Sequence, residues 1–363
     1  MDSAEDGSYP GEWKLETGIN EYVDSVEAGN YRRTVDSVLS NWSTWLQENR
    51  DAEVVDEISV LDCRRYARHL KKQSREDELK ASTANTYYSV VRAFLSFCVA
   101  EEAIDSNPAE VKRAVDELPS DNGDTNRQFW GRDERRQFLD YVDERARDSL
   151  DEDSSIDREE AFRDRALVYV LALSGVRSAE IFKDPADEMR NGATWNDLDL
   201  ENGTLRVFGK SREYEHAQVP DKAVQVLKRY RKVLNPETSD WPLFPSNHAP
   251  SKYKALEKQA GSVEYEDIDR ALREHSVVPP ALSKNGARSI VERLCGEAGV
   301  DVDGEPLKLH GARRGLGHEL YRKGHAELAQ SALRHSSIDV THEAYSDIQA
   351  SETADRVGDV LDS

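Results

Sequence analysis

The sequence predicts a mainly α-helical protein of two domains, with one small antiparallel β-sheet inside the second. Three observations predict it. A chain of 363 residues with 37% apolar content is enough for about two ordinary cores. Apolar residues recur at spacings of three and four through most of its length. Between residues 193 and 220 that period gives way to short β-type runs.

Taken in order, residues 1–14 read as a flexible acidic tail. Tyr31, Val35, Val38, Leu39, Trp42, Trp45 and Leu46 then line one helix face. SVLDCRRYARHLKK, residues 59–72, predicts a second helix. STANTYYSVVRAFLSFCVAEEAI, residues 82–104, predicts a third, with Ser82 or Thr83 as N-cap and Ser106, Asn107 and Pro108 as the breaker. These helices make a first domain over residues 15–117. LPSDNGDTNRQ, residues 118–128, has the Pro, Gly and Asp content of a linker.

The second domain, residues 129–349, opens with helical patterns over 132–147 and 158–182. ATWNDLDL, TLRVF and HAQVP read as three strands, residues 193–200, 204–208 and 216–220, and Asn202 and Gly203 signal a tight hairpin between the first two. Residues 222–234 are helical, 241–306 give no clear period, and 310–324 and 328–337 restore the helical one. In the tail, residues 350–363, Ala350, Ala354, Val357 and Leu361 stand at the spacing of a short helix with a single apolar stripe. No internal repeat is visible.

Asp and Glu outnumber Lys and Arg by 71 to 49, a formal charge of -22 that argues against an anionic partner in dilute buffer. Only 16 of the basic residues are Lys, and this acidic, Lys-poor balance suits solubility at very high salt, where a Debye length of about 3 Å at 1 M suppresses self-repulsion. The composition therefore predicts a halophile's cytoplasmic protein, with an archaeal source the expectation. Cys63, Cys98 and Cys295 form no CxxC pair and suit a reducing cytosol with small buried packing roles. No apolar run approaches the roughly 18 residues of a membrane span, and MDSAEDGSYPGEW is acidic where a signal peptide is basic.

Two catalytic signatures fail. Gly209, Lys210 and Ser211 mimic the end of a phosphate loop, but Thr204 stands where its first glycine belongs. His318 and Glu319 begin like HExxH, yet Arg322 replaces the second histidine, so no metal is expected. What remains is directed at phosphate. His310 and Arg313, three apart, share a helix face. Between Lys308 and His335 six basic residues stand against two acidic ones, a local reversal of the overall charge that suggests an anion. Arg177 follows Gly175 at a helix junction, and Lys210 occupies the turn between the second and third strands, a mobile place. Taken singly, each also reads as an ordinary cap, turn or surface residue.

SGVRSAEIF, the Lys210 hairpin, HGARR, LRHSS and the following Tyr345 stand in the order found in the tyrosine recombinases, the phage-integrase and Xer-like enzymes. The chain resembles that family over about residues 15–349, and NTYYSVVRAFLSFCVAEEAIDSNPAE is similar to its helical core-binding domain. The resemblance implies a two-domain architecture, a core-binding domain followed by a mixed α/β catalytic domain. It implies a catalytic set of Arg177, Lys210, His310, Arg313 and His335 with Tyr345 as nucleophile, and a cut-and-rejoin reaction through a 3′-phosphotyrosyl bond that uses no cofactor. Two features depart from the family pattern. Glycine is usual where Arg334 stands, and the His335 to Tyr345 spacing is one residue longer than the usual one.

On these expectations the two arginines clamp the phosphate, Lys210 protonates the leaving oxygen, His310 handles the tyrosine proton and His335 hydrogen-bonds the phosphate. Asp339, Val340 and Thr341 read as a flexible lead to Tyr345, and Tyr321 fits packing. Two stretches carry five basic residues and no acidic one. Arg64, Arg65, Arg68, Lys71 and Lys72 lie in the first domain, and Lys228, Arg229, Arg231 and Lys232, with Lys222, lie in the second. They predict a clamp on duplex backbone. The expected partner is duplex DNA with paired half-sites, bound by a homo-oligomer, a tetramer, into which the tail helix docks on a neighbouring protomer. A type IB topoisomerase and a catalytically silent DNA-binding relative are the competing readings.

Overall fold

The apolar spacings of the first third become helices α1 (Leu15–Ser25), α2 (Asn30–Arg50), α3 (Val60–Arg75) and α4 (Ala81–Ala100), closed by the short turn of helix α5 (Lys112–Val115). They form the first of two units, residues 1–126 and 127–363. The computed structural model describes residues 13–27, 29–50, 52–121, 128–261 and 264–345. Val38, Leu39 and Trp42 of α2 meet Tyr66 and Leu70 of α3 and Val91, Phe94 and Leu95 of α4 in one core. Trp42 stands edge-on to Phe94 with centroids 5.9 Å apart, an arrangement the ring quadrupoles favour. Ser59 starts α3 by donating its amide and hydroxyl to Asp62 at 3.0 and 2.6 Å.

Three boundaries differ from those read in the sequence. The N-cap of α4 is Lys80, whose carbonyl takes the amides of Thr83 and Ala84 at 2.9 Å each, so Ser82 and Thr83 are already inside the helix. Trp13, assigned to the acidic tail, stacks on Phe97 at 6.1 Å and belongs to the first core; residues 1–12 lie outside the described residues. The linker is shorter than 118–128. Leu118 packs on the first core and Pro119 accepts from Asn85 at 3.3 Å, while the Gln128 side chain donates to Pro306 at 3.0 Å and accepts the Lys308 amide at 2.6 Å. Residues 122–127 lie outside the described residues.

The second unit contains α6 (Arg132–Asp148), α7 (Arg158–Ser174), α8 (Ser178–Ile181) and the strands β1 (Leu198–Asp199), β2 (Thr204–Phe208) and β3 (Tyr214–Gln218). Helices α9 (Asp221–Leu234), α10 (Ala249–Ala260), α11 (Ile268–Glu274) and α12 (Lys284–Ala298) follow, then α13 (Leu309–Arg322), α14 (Ala326–Leu333) and α15 (Ile338–Ala344). Helix α7 runs through the centre against α6, α9 and α13, which is why it has no polar stripe: Ala161 to Ser174 are buried on nearly every side. It ends at Gly175, in the left-handed region at φ 65°, where a Cβ would lie 2.8 Å from the Ala332 carbonyl. The helical stretch over 158–182 is therefore two helices, and Arg177 sits at the junction that its place after Gly175 suggests.

The sheet is antiparallel in the order β1-β2-β3, with Leu198 opposite Leu205 and Phe208 opposite Tyr214. Its first strand is only two residues long because the chain before it pairs elsewhere. The amides of Trp195 and Asn196 donate to Trp241 and Ser239, at 3.1 and 2.9 Å. The third strand starts at Tyr214 rather than His216, with the Tyr214 ring 5.4 Å from that of Phe208. The stretch from 241 to 306 that shows no clear period holds α10 and α11, which share a small core of their own (Leu256, Ala271, Leu272, Val277), and α12.

Asp339, Val340 and Thr341 are not a flexible lead but the body of α15. Thr341 is fully buried there, and Ser337 accepts the Val340 amide at 3.4 Å. The predicted tail helix over 350–363, like residues 346–349, lies outside the described residues. All three cysteines are buried free thiols. Among the described residues no helix is long and apolar enough to cross a membrane.

Candidate active site

The site is built around α13. Gly311 and Gly315 let this helix lie directly on Trp130, whose amide donates to the Gly311 carbonyl at 3.0 Å and whose indole donates to that of Lys308 at 3.0 Å. Arg313 is carried into the interior, 4% exposed, where its two terminal nitrogens donate to the carbonyls of Gly175 and Leu333. One guanidinium thus ties the end of α7 to the end of α14. Burial, then the charges of Arg177 and Arg334, pull its pKa to about 10, against the opposing pull of Glu180.

Arg177 precedes α8 and bonds Glu180 twice, through its amide and through Nη1, at 2.7 Å each. The Glu180 side chain is fully enclosed and also accepts Arg334 at 2.5 Å. Burial is the largest influence on this carboxyl and would raise its pKa, but Arg334 and Arg177 outweigh it and hold the group below the usual range. Glu180 therefore stays charged and holds two arginines in place.

His310 lies on the first turn of α13. Desolvation, then the charges of Arg314, Arg313 and Arg177, push its pKa down to about 4, although the residue keeps an exposed face. His335 is likewise lowered to about 4, by burial and then by Arg313 and Arg177. Its Nδ1 lies 2.9 Å from the hydroxyl of the buried Thr341, which fixes the ring. Both histidines are thus neutral at pH 7. Tyr345 ends α15, 9% exposed, with its ring 5.5 Å from that of Tyr321 and its hydroxyl donating to the Arg314 carbonyl at a long 3.4 Å. Burial raises its pKa to about 12, against the pull of Arg313 and Arg314.

The hydroxyl of Tyr345 rests on Gly317, where a Cβ would overlap it and the Leu333 side chain. Gly317→Ala is therefore expected to destabilise the protein by about 1–3 kcal/mol, the usual cost of overpacking, read by chemical denaturation. Unchanged stability would mean that Tyr345 does not dock on α13.

Lys210 is exposed at the β2–β3 turn. The turn itself is not loose. Arg190 donates to the carbonyls of Phe208 and Gly209 at 2.7 Å each, Arg212 pairs with Asp187 at 3.0 Å, and Arg334 bonds Glu215 at 3.0 Å. Arg313 lies within electrostatic reach of Arg177, His310, His335 and Tyr345. Among the described contacts none reaches Lys210 itself, and only its turn is tied to this group, through Glu215 and Arg334.

Residues 144–352, more than half of the chain, match the phage integrase family, and residues 28–102 match the phage integrase N-terminal SAM-like domain. The chain belongs to the phage integrase family. Among curated relatives, tyrosine recombinase XerC of Halalkalibacterium halodurans is 29% identical over 168 residues, 46% of each chain, so the match spans about half of that relative. Tyrosine recombinase XerD of Chlorobaculum tepidum is 24% identical over 90% of this chain and 89% of its own. Among solved structures, the XerH site-specific recombinase in a post-cleavage complex with palindromic difH substrate superposes with a TM-score of 0.59. It is 18% identical and matches over 90% of this chain and 80% of that one.

Within this integrase fold, three residues escaped the sequence reading. Glu180 looks like an ordinary first-turn helix acid, and only its enclosure between Arg177 and Arg334 marks it. Thr341 and Glu215 act across elements. The α3 cations are also less available than an acid-free stretch suggests. Glu117 takes Arg64 and Arg68 at 2.7 Å each, Arg65 stands 4.0 Å from Asp62, and Lys72 stands 3.8 Å from Glu76. Lys228, Arg229, Arg231 and Lys232 are exposed on α9 and line one shallow cleft; Arg231 lies over the Trp195 ring at 5.4 Å. Among the described residues no cluster of His, Cys, Asp or Glu is placed to hold a metal.

Proposed function

We propose that this integrase-family chain is a site-specific DNA recombinase that cuts and rejoins duplex DNA through Tyr345. The observation that carries the reading is the convergence of Arg177, His335 and Tyr345, each from a separate element, on the buried Arg313 of α13, with Glu180 holding Arg177 beside it. The Tyr345 oxygen attacks phosphorus and its proton passes to neutral His310. The bond to the 5′ oxygen breaks, and that oxygen takes a proton from Lys210. Arg177 and Arg313 hold the non-bridging oxygens where charge develops, and His335 donates to them. The phosphotyrosyl ester stores the bond, so a 5′ hydroxyl from a partner strand reverses the reaction. Leaving the 3.4 Å hydrogen bond to Arg314 costs the nucleophile little.

The pH profile follows from the histidines. His310 accepts a proton only when neutral, so covalent attachment should be lost as pH falls through about 4 and level off above it. On the alkaline side it should fall as Arg313 loses its charge near pH 10. Single-turnover rates against pH check this, and an acid limb centred near the ordinary histidine value would contradict it.

Duplex DNA with paired half-sites, bound by a homo-oligomer that forms a tetramer on the site, completes the reading. Backbone contacts fall to Lys228, Arg229, Arg231 and Lys232, and to Arg65, Lys71 and Lys72, with Arg64 and Arg68 available once Glu117 releases them. The acidic, Lys-poor composition supports a halophile's cytoplasm as the setting. Affinity should then fall only weakly between low and molar KCl, because acidic groups near the interface take up cations as counterions leave the DNA. A steep salt slope would reject that habitat.

The test is direct. A nicked duplex built on inverted repeats flanking the gene should trap the protein as a covalent adduct on a denaturing gel. Relaxation of unrelated supercoiled plasmid, without recombination of the repeats, would overturn the reading.

A further inference from the structure

Arg334 closes α14 at φ 52° and ψ 50°, a left-handed conformation that glycine adopts freely and a side chain resists. The arginine is nevertheless 90% buried there, and it spans two carboxylates from separate elements. Nη2 donates to Glu180 on α8 at 2.5 Å, and Nε donates to Glu215 on β3 at 3.0 Å. Glu180 holds Arg177 with its other oxygen. Glu215 lies against Gly209, and its other oxygen accepts the Ser211 hydroxyl at 3.3 Å, so it touches both neighbours of Lys210. The remaining Arg334 nitrogen, Nη1, is buried without a hydrogen-bond partner among the described residues, so the two carboxylates, and not full satisfaction of the guanidinium, hold it in place.

We propose that Arg334 is a positioning residue, a latch that joins the Lys210 hairpin to the Glu180–Arg177 phosphate clamp. Arg190 and Arg212 tie the hairpin on its other side, by way of Phe208, Gly209 and Asp187. Without Arg334, Glu215 loses its cation and the turn loses its tie to the Glu180 side, keeping the anchorage through Arg190 and Arg212. Lys210 then reaches the leaving oxygen less often, while the clamp keeps Arg177 bound to Glu180. A glycine at this position relaxes the backbone, so the variant should fold.

The inference rests on Lys210 as the acid, and the experiment separates the two claims. Covalent attachment of the full chain is measured on two nicked duplexes, identical except that sulfur replaces the 5′ bridging oxygen of the scissile phosphate in one. A thiolate leaves without a proton, so only steps upstream of protonation limit the sulfur duplex. Arg334→Gly and Glu215→Gln should each slow attachment to the oxygen duplex by about tenfold or more and match the parent within about twofold on sulfur, as Lys210→Ala does.

If Lys210→Ala is rescued by sulfur and Arg334→Gly is not, the latch is wrong and the acid assignment stands. That is also the result expected if Arg334 binds phosphate or merely supports the fold. If Lys210→Ala is equally impaired on both duplexes, the acid assignment fails and the latch fails with it. Full activity of Arg334→Gly on oxygen would likewise overturn it.

Discussion

Tyr345→Phe should give a folded protein that binds duplex DNA and never attaches to it. The substitution keeps the ring against Tyr321, Leu333 and Gly317 and removes one oxygen, whose only described hydrogen bond is the 3.4 Å contact to Arg314. So weak a bond is worth about 1 kcal/mol or less, and the melting temperature should move little. The chemistry loses its nucleophile outright. The nicked duplex and a denaturing gel read the outcome. An adduct formed by the variant would pass the role to another residue, with Tyr321 examined first. That residue is 6% exposed, with its hydroxyl 2.7 Å from Nδ1 of His342, as a packed tyrosine would be.

The second large effect concerns the phosphate clamp. Arg177→Ala and Arg313→Ala should each slow attachment by about a hundredfold, since a transition-state donor is worth roughly 3 kcal/mol, while duplex affinity falls little. The two should part company in stability. Arg177 is partly exposed, and Glu180 keeps Arg334 when it is removed. Arg313→Ala strands the buried carbonyls of Gly175 and Leu333, each costing about 1–3 kcal/mol. Arg313→Lys keeps the charge without the fork and should recover little of the rate. Gel-shift affinities beside single-turnover rates decide, and an equal loss of affinity and rate would remove these arginines from the chemistry.

The apolar spacing of α2, α3, α4 and α9 is readable in the sequence because 3.6-residue periodicity is a local property, whereas α12 goes unread although it also buries one face, through Ala287, Val291, Leu294 and Cys295. The β2 strand and the Lys210 turn are readable because β-type runs and the turns between them are local signals as well. Helices α10 and α11 were not, because they pack mainly on each other in a small side cluster and carry too few apolar positions to set a period. The short β1 was over-read because neighbouring backbone satisfies residues 193–196 from a distant segment. Likewise α15 reads as a lead in the sequence, since its only fully buried side chain is the polar Thr341.

The motifs around Arg177, His310, Arg313, His335 and Tyr345 could be named from sequence because each side chain's chemistry is intrinsic to its residue type. Their environment could not. That Glu180 is enclosed between two arginines, that Arg313 bonds two carbonyls from helices far apart in sequence, and that Arg334 reaches Glu215 across 119 residues are facts of tertiary packing. Local sequence carries the period of a helix and the identity of a donor. Burial and long-range pairing decide its charge, its partner and its orientation, because these depend on atoms contributed by elements that only the folded chain brings together.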